Sequence, residues 1–304
     1  MFLGGLGRSG TTLLERILGQ LPDACPLGEV VHLWQRDLKD CERCACGAAF
    51  SDCDFWRRVG EVAYGGWDAV DVDRVLWLKA TVERTRHILR LAGSRLAPGH
   101  YDLVREYASH YGRVYAAAAE VSGARVVIDS SKHPSLAYCL RWAPDIDLHV
   151  AHMVRDSRGV AYSWTKTVRR PEAAGDTMTR YHPARSALLW SAHNVALDRL
   201  GRCGVPVRRI RYEDLAKDPV AATKELAEFA GIDAGPLDFL SADAGAVHAE
   251  LTAQHSAAGN PMRFHTGRIP LLADEAWRTG LPVSHQRLVG ALTSPLLRAY
   301  GYLK

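Results

Sequence analysis

Arg8, Ser9, Thr11 and Thr12 lie in a glycine-framed run, Gly4-Gly5-Leu6-Gly7-Arg8-Ser9-Gly10-Thr11-Thr12, directly behind the apolar Met1-Phe2-Leu3. The run reads as a strand, a tight turn and the start of a helix. Such a turn aims several backbone N–H groups at one point, where the helix N-terminus adds partial positive charge; the chemistry is that of a phosphate or sulfate receptor. Gly5 and Gly10 have the spacing of a Walker A loop, but Thr11 stands where the nucleotide-binding lysine belongs. The strong cation lies inside the loop instead, at Arg8. That combination points away from magnesium-ATP and toward another phosphate-bearing donor, with an ordinary glycine turn as the plain alternative.

A second constellation is Met153-Val154-Arg155-Asp156-Ser157-Arg158-Gly159-Val160-Ala161-Tyr162-Ser163. Arg155 closes an apolar strand, and Ser163 follows about two helical turns later; together they could grip one phosphate, with the guanidinium supplying charge and geometry. The plain alternative pairs Arg155 with a local carboxylate such as Asp156. Two separate anion grips imply a donor with phosphates at two ends. Between them, Asp129-Ser130-Ser131-Lys132 forms a polar strand end after Val126-Val127-Ile128. Asp129 mimics a Walker B aspartate, but without the Walker lysine its expected role is to orient the loop that carries Lys132.

These residues resemble the PAPS-dependent sulfotransferases, in particular the tyrosylprotein sulfotransferases and their bacterial small-molecule relatives. The resemblance implies that Arg8, Ser9, Gly10, Thr11 and Thr12 bind the 5′-phosphosulfate of 3′-phosphoadenylyl sulfate (PAPS), and that Arg155 and Ser163 bind its 3′-phosphate. Glu29, twenty-one residues after Arg8, falls where the tyrosylprotein enzymes carry a catalytic glutamate. Ser131-Lys132-His133-Pro134 matches their Lys-x-Pro segment, and Arg211-Tyr212-Glu213-Asp214-Leu215 their Tyr-Glu-x-Leu segment, which makes Tyr212 a nucleotide contact. The stretch from His255 to Phe264 resembles the loop that closes over the nucleotide in bacterial members, with Arg263 a further 3′-phosphate ligand. Thr167 departs from the pattern by replacing a basic phosphate ligand, for which Lys166 or Arg169 are candidate substitutes. The expected activity is sulfuryl transfer to a hydroxyl, less readily an amine, of a small-molecule, glycan or lipid acceptor, leaving 3′,5′-adenosine bisphosphate and requiring no catalytic metal. Glu29 is the expected base, with His133 and His255 as alternatives, and Arg8 and Lys132 supply charge to the transferring group. A P-loop kinase or other NTP-dependent transferase, and a non-catalytic nucleotide- or protein-binding module, are the rival readings.

The elements that must position these residues alternate. Strands are expected at 1–5, 126–128, 149–154 and 205–210, and helices at 11–20, 71–92, 100–122, 156–167, 183–201, 219–230 and 284–299. Short apolar strands alternating with helices indicate a parallel sheet covered on both faces, with ligands at the carboxyl ends of the strands. The expected fold is a P-loop-like three-layer α/β domain spanning 1–304, with a helical, cysteine-bearing insertion at 38–122 over the acceptor side. Acceptor contacts are expected from loops 33–70, 169–182 and 240–258.

The chain has 304 residues, is 47% hydrophobic and carries a net charge of +4, which suits an anionic small molecule and gives no basic arm for nucleic acid. The glycine-rich start makes a poor signal peptide, and no run of about 18 apolar residues offers a membrane span, so a cytoplasmic location is expected. Cys41, Cys44, Cys46 and Cys53 form the array Cys-x2-Cys-x-Cys-x6-Cys, open to zinc binding, disulfides or simple packing. Cys25, Cys139 and Cys203 read as buried packing residues. The thirteen histidines show no metal-ligand spacing among themselves.

Overall fold

The computed structural model describes residues 1–169, 177–243 and 246–303; parts of two expected acceptor loops, residues 170–176 and 244–245, and the last residue of the expected domain lie outside these. Five parallel strands, β1 (Phe2–Gly4), β2 (Ala24–Gly28), β3 (Val126–Lys132), β4 (Val150–Val154) and β5 (Val207–Arg211), form the central sheet in the order β2-β3-β1-β4-β5. The order reverses around β1, so the crevice beyond its carboxyl end is the topological switch point, where ligands of such sheets bind.

Alternation along the strands feeds a separate core on each face. Phe2 and Val150 pack with Trp34, Trp56, Tyr107, Tyr111 and Leu136 on one side, whereas Leu3, Ala151 and Met153 pack with Leu14, Ile17 and Leu226 on the other. The first face is covered by α2 (Asp54–Tyr64), α3 (Val72–Val82), α4 (Ile88–Leu91), α5 (Pro98–Ser122) and α6 (Pro134–Leu140). The second is covered by α1 (Thr11–Leu18), α9 (Tyr212–Lys217) and α10 (Pro219–Ala230), and by an antiparallel sheet of β6 (Leu240–Asp243), β7 (Ala246–Leu251) and β8 (Gly267–Leu271). Helices α7 (Ser157–Thr165), α8 (Pro183–Gly201), α11 (Trp277–Gly280) and α12 (Val283–Ala299) close the β4 end.

The three-layer α/β expectation holds, with local differences that have physical causes. The helix expected over 71–92 ends at Val82, where Glu83 leaves helical geometry and its carboxylate, inside the core, accepts bonds from Tyr107 Oη (2.5 Å) and Ser135 Oγ (3.3 Å). Strand β2 contains Pro26, which cannot donate to a ladder; the strand tolerates it because β2 is an edge. Among the described residues, no helix is long and apolar enough to cross a membrane.

Candidate functional site

At the carboxyl end of β1 the chain makes the expected anion loop. Gly10 caps α1 in the left-handed conformation (φ 96°) with no side-chain cap, which leaves the first turn of the helix facing outward from the sheet. A Cβ on Gly10 would meet the Tyr212 ring at 2.6 Å, so both the turn and the close approach demand glycine. Arg8 also has positive φ (76°), a strained geometry for a side-chain-bearing residue that turns it into the crevice. Arg8 Nε, Ser9 Oγ and Thr11 Oγ1 are buried without a hydrogen-bond partner. Unsatisfied buried polar atoms are costly, and three converging in one loop mark a place built to receive a polar ligand.

The loop opens into a cavity of about 550 Å³ lined by Arg8, Gly10, Thr11 and Thr12 on one wall and by Glu29, Lys132, Arg155, Ser163 and Tyr212 around it. Five strand ends thus deliver the candidate residues to one space. Lys132 ends β3 with φ 70° and forms an ion pair with Glu29, whose side chain is 14% exposed against 9% for the lysine. The second Glu29 oxygen lies 3.8 Å from His32 Nε2. His32 is held well below its ordinary pKa by burial and then by His133 and Lys79, so it stands beside the carboxylate as a neutral ring. Asp129 orients this strand end, as expected: it accepts from the Ser131 N–H (2.7 Å) and from Tyr115 Oη (2.5 Å). Burial lifts its carboxyl to about 6.

Arg155 is 6% exposed and stacks over the Tyr212 ring at 4.5 Å. It donates to the Arg8 carbonyl (3.1 Å) and pairs with the Asp274 carboxylate at 3.1 Å. Lys166 approaches the same carboxylate at 3.8 Å. Burial alone would raise the Asp274 carboxyl, but the Ala276 N–H and Arg155 outweigh it and keep it below its ordinary value. An anion therefore already sits between Arg155 and Lys166. Tyr212 Oη fixes this corner, donating to the Leu272 carbonyl (3.1 Å) and accepting from the Asp274 N–H (3.2 Å).

The far side of the cavity is more apolar. Trp164 stacks on Tyr181 (4.4 Å between centroids) and lines this side with Met178, Leu189, His133 and His193. His193 is pushed down to about 4 by burial and then by His133, and is neutral near pH 7.

Three expectations change in the structure. Arg263 is not part of the lining: it is 1% exposed, and its guanidinium donates to the carbonyls of Gly259 (3.0 Å) and Arg43 (2.9 Å) while lying over Phe264. It is a brace for the loop, since a fully buried guanidinium must satisfy its donors locally. His255 is likewise remote from the cavity, with Nδ1 3.3 Å from Cys53 Sγ, which removes it as a candidate base. Among the described residues, segment 38–122 lends no side chain to the lining; it packs behind the wall, where Glu83 Oε1 meets His133 Nδ1 at 3.4 Å. Of the expected acceptor loops, only Arg36, Met178 and Tyr181 reach the cavity among the described residues.

Sequence reasoning passed over Glu15 and Arg16 on α1. Buried Glu15 accepts from the Gly28 N–H (2.6 Å), Ser256 Oγ (3.1 Å) and Ser130 Oγ (2.6 Å), tying together the ends of β2 and β3 and the 255–265 loop. Arg16, fully buried, donates to the carbonyls of Arg263 (2.7 Å), Thr252 (2.9 Å) and His265 (2.6 Å). The signal was an adjacent acid–base pair inside the otherwise apolar Leu13-Leu14-Glu15-Arg16-Ile17-Leu18.

Residues 1–236 match the sequence profile of the sulfotransferase family. The chain belongs to the sulfotransferase family. Solved structures agree in fold. The sulfotransferase domain from the Synechococcus PCC 7002 olefin synthase is similar over 97% of this chain and 93% of that domain, at 21% identity and a TM-score of 0.51. The sulfotransferase domain from the curacin biosynthetic pathway is similar over 97% of this chain and 96% of its own, at 16% identity and a TM-score of 0.51. Comparison with the curated proteins gives no match. Within this sulfotransferase fold, the loop around Arg8 and the ends of β2, β3 and β4 are the elements that meet at the cavity.

Proposed function

We propose that this chain transfers a sulfuryl group from 3′-phosphoadenylyl sulfate to a hydroxyl of a small-molecule acceptor with an apolar body. The observation that carries the reading is the convergence of Arg8, Glu29, Lys132 and Arg155 on one cavity, beside a loop whose Arg8 Nε, Ser9 Oγ and Thr11 Oγ1 lack partners. The donor supplies an activated sulfuryl group on a phosphate leaving group and needs no bridging cation. Arg8 and the amides of residues 9–12 hold the phosphosulfate end. Arg155, with Ser163 and Lys166, holds the 3′-phosphate, a reading supported by the approach of both cations to one point, the Asp274 carboxylate. Tyr212 packs against Gly10 and under Arg155, placing an aromatic face between the two anion grips.

The acceptor hydroxyl loses its proton to Glu29 as its oxygen bonds to sulfur and the sulfur–phosphate oxygen bond breaks. Lys132 and Arg8 face the oxygens on which charge accumulates, and because they are fixed before the reaction they need no reorganisation during it. Glu29 is the preferred base because its carboxylate stands on the cavity wall beside Lys132, whereas burial holds His32 and His193 poorly basic; His133, oriented through Nδ1 by Glu83, is the alternative base on this cavity. Trp164, Tyr181, Met178 and Leu189 offer the acceptor an apolar wall.

The test is transfer itself. Purified protein, given the donor and a panel of phenolic and aliphatic alcohols without added magnesium, should form sulfate esters detected by mass spectrometry together with 3′,5′-adenosine bisphosphate. Transfer that occurs only from magnesium-ATP would replace this reading with the kinase one.

A further inference from the structure

Three cysteines and one histidine, from segments far apart in the chain, converge at the outer edge of the sheet behind the Glu29 wall. Cys44 Sγ and Cys53 Sγ lie 3.6 Å apart, and Cys46 Sγ and Cys53 Sγ 3.8 Å apart. His255 Nδ1 lies 3.3 Å from Cys53 Sγ and 4.0 Å from Cys44 Sγ, and all four donor atoms fall within 4.8 Å of one another. A tetrahedral zinc ion with Zn–S of about 2.3 Å and Zn–N of about 2.0–2.1 Å has edges of about 3.8 Å between sulfurs and about 3.6 Å between sulfur and nitrogen. The observed separations bracket these edges, and the sulfur pairs lie nearly twice as far apart as a disulfide bond of about 2.05 Å would place them.

The surroundings are those of a ligand cage. Residues 43–49 form a knuckle: Arg43 bridges Ala49, the Cys44 N–H donates to the Ala48 carbonyl (3.0 Å), and the Gly47 N–H to the Cys44 carbonyl (2.9 Å). This turn brings Cys44 and Cys46 to one side despite their single-residue spacing. Phe55 stacks on the His255 ring at 5.1 Å, and Trp56 Nε1 donates to the His255 carbonyl (2.7 Å), which fixes the imidazole. Cys46 and His255 are exposed, so apolar packing does not explain why they gather with the buried Cys44 and Cys53. Cys41, the fourth cysteine of the sequence array, turns away toward Ser51 Oγ (3.4 Å).

We propose that Cys44, Cys46, Cys53 and His255 bind one zinc ion in a closed, structural Cys3His site. The four protein ligands complete a tetrahedron and leave no position for substrate. The site ties the 43–56 segment to the 255–263 loop, and that loop is a wall of the cavity. Its Ala257 N–H donates to the Leu27 carbonyl (2.8 Å), its Ala258 carbonyl accepts from the Glu29 N–H (3.1 Å), and a Cβ on Gly259 would meet Glu29 Oε1 at 2.9 Å. Zinc thus fixes the backbone that places Glu29, and it does so whatever the transferred group proves to be.

Elemental analysis of the full chain, expressed in zinc-supplemented medium and purified reduced without chelators, should give one zinc per chain. Cys46→Ser and His255→Ala should lose most of it; Cys41→Ser should keep it, and His255→Cys should restore a four-ligand site. Because a ligand variant can fail to fold, the wild-type protein supplies a second readout. Cobalt(II) exchanged into it should show the intense visible bands of tetrahedral thiolate coordination, and a strong chelator should lower the thermal midpoint, reversed by zinc but not by magnesium. Wild-type protein without stoichiometric zinc and without the cobalt bands on anaerobic titration would overturn the proposal, as would loss of zinc from Cys41→Ser equal to that from Cys46→Ser.

Discussion

Replacing Glu29 by glutamine separates proton transfer from positioning. The side chain is only 14% exposed and paired with Lys132, so the amide retains the shape and can still accept from the ammonium through Oε1. What it loses is basicity. Removing a general base costs typically 10²–10⁴ in rate, about 2.7–5.5 kcal/mol of transition-state stabilisation. The effect on donor affinity has the opposite sign. The Glu29 charge acts on Arg8 to favour its charged form, and it neutralises Lys132; removing it leaves the phosphosulfate end facing a more positive wall. The dissociation constant for 3′,5′-adenosine bisphosphate should therefore stay the same or fall, while single-turnover transfer slows by two to four orders of magnitude. Stopped reactions quantified by mass spectrometry give the rate, calorimetry gives the affinity, and far-UV circular dichroism confirms the fold. Turnover within about threefold of wild type would remove Glu29 as the base, leaving His133 or the acceptor itself; a rate loss accompanied by weakened nucleotide binding would show that Glu29 acts by holding the wall in place.

Three further outcomes follow from neighbouring geometry. Gly10→Ala puts a Cβ 2.6 Å from the Tyr212 ring at φ 96°, so donor binding should weaken at least tenfold, about 1.4 kcal/mol, in a calorimetric titration; unchanged affinity would mean that the loop is not the anion site. Asp274→Asn removes the carboxylate between Arg155 and Lys166; since Asp274 is 38% exposed, the pair is worth about 0.2–1 kcal/mol, and bisphosphate binding should tighten by up to about fivefold, with 5′-AMP unaffected. Equal tightening of both nucleotides would place the 3′-phosphate elsewhere. Asp37 is 1% exposed and burial lifts its carboxyl from 3.8 to about 7, so the folded state holds that proton more tightly than the unfolded chain, and stability present below about pH 4 is lost as pH rises to about 7. Asp37→Asn should be more stable than wild type by up to about 4 kcal/mol at pH 8, with the advantage vanishing toward pH 4, in denaturant titrations; a pH-independent difference would contradict the assignment.

The parallel sheet was legible because β1, β3 and β4 open on short apolar or β-branched runs followed by turn residues and helices, and β5, though rich in arginine, is marked by Val205, Val207 and Ile210 ahead of a helix. Strand β2 escaped notice because Pro26 and Gly28 are poor strand formers, admitted here only by the edge position. The short β6–β8 sheet was read as loop although Val247, Ala249 and Leu251 alternate with His248 and Glu250, because its flanking strands are an exposed polar β6 and a β8 that contains Pro270. Arg8, Lys132 and Arg155 could be singled out because local sequence places each at a strand end, and strand ends of one sheet meet; Glu29, behind the unread β2, was reached only through its offset from Arg8 in the family resemblance. Arg263 could not be judged that way: its acceptors are carbonyls, one of them in the distant Arg43, and only the folded chain shows that the charge is already satisfied. The same holds for His255, separated by about two hundred positions from the cysteines it joins, so that spacing within 41–53 named Cys41 in its place.

The two-ended donor is tested most directly by a calorimetric comparison of 3′,5′-adenosine bisphosphate with 5′-AMP and with magnesium-ATP. A charge-assisted phosphate contact on a 6% exposed Arg155 is worth about 2–5 kcal/mol, so the bisphosphate should bind at least about 30-fold more tightly than 5′-AMP, and Arg155→Ala should abolish the difference. Equal affinities for the two adenosine phosphates, or tighter binding of magnesium-ATP than of the bisphosphate, would contradict the account.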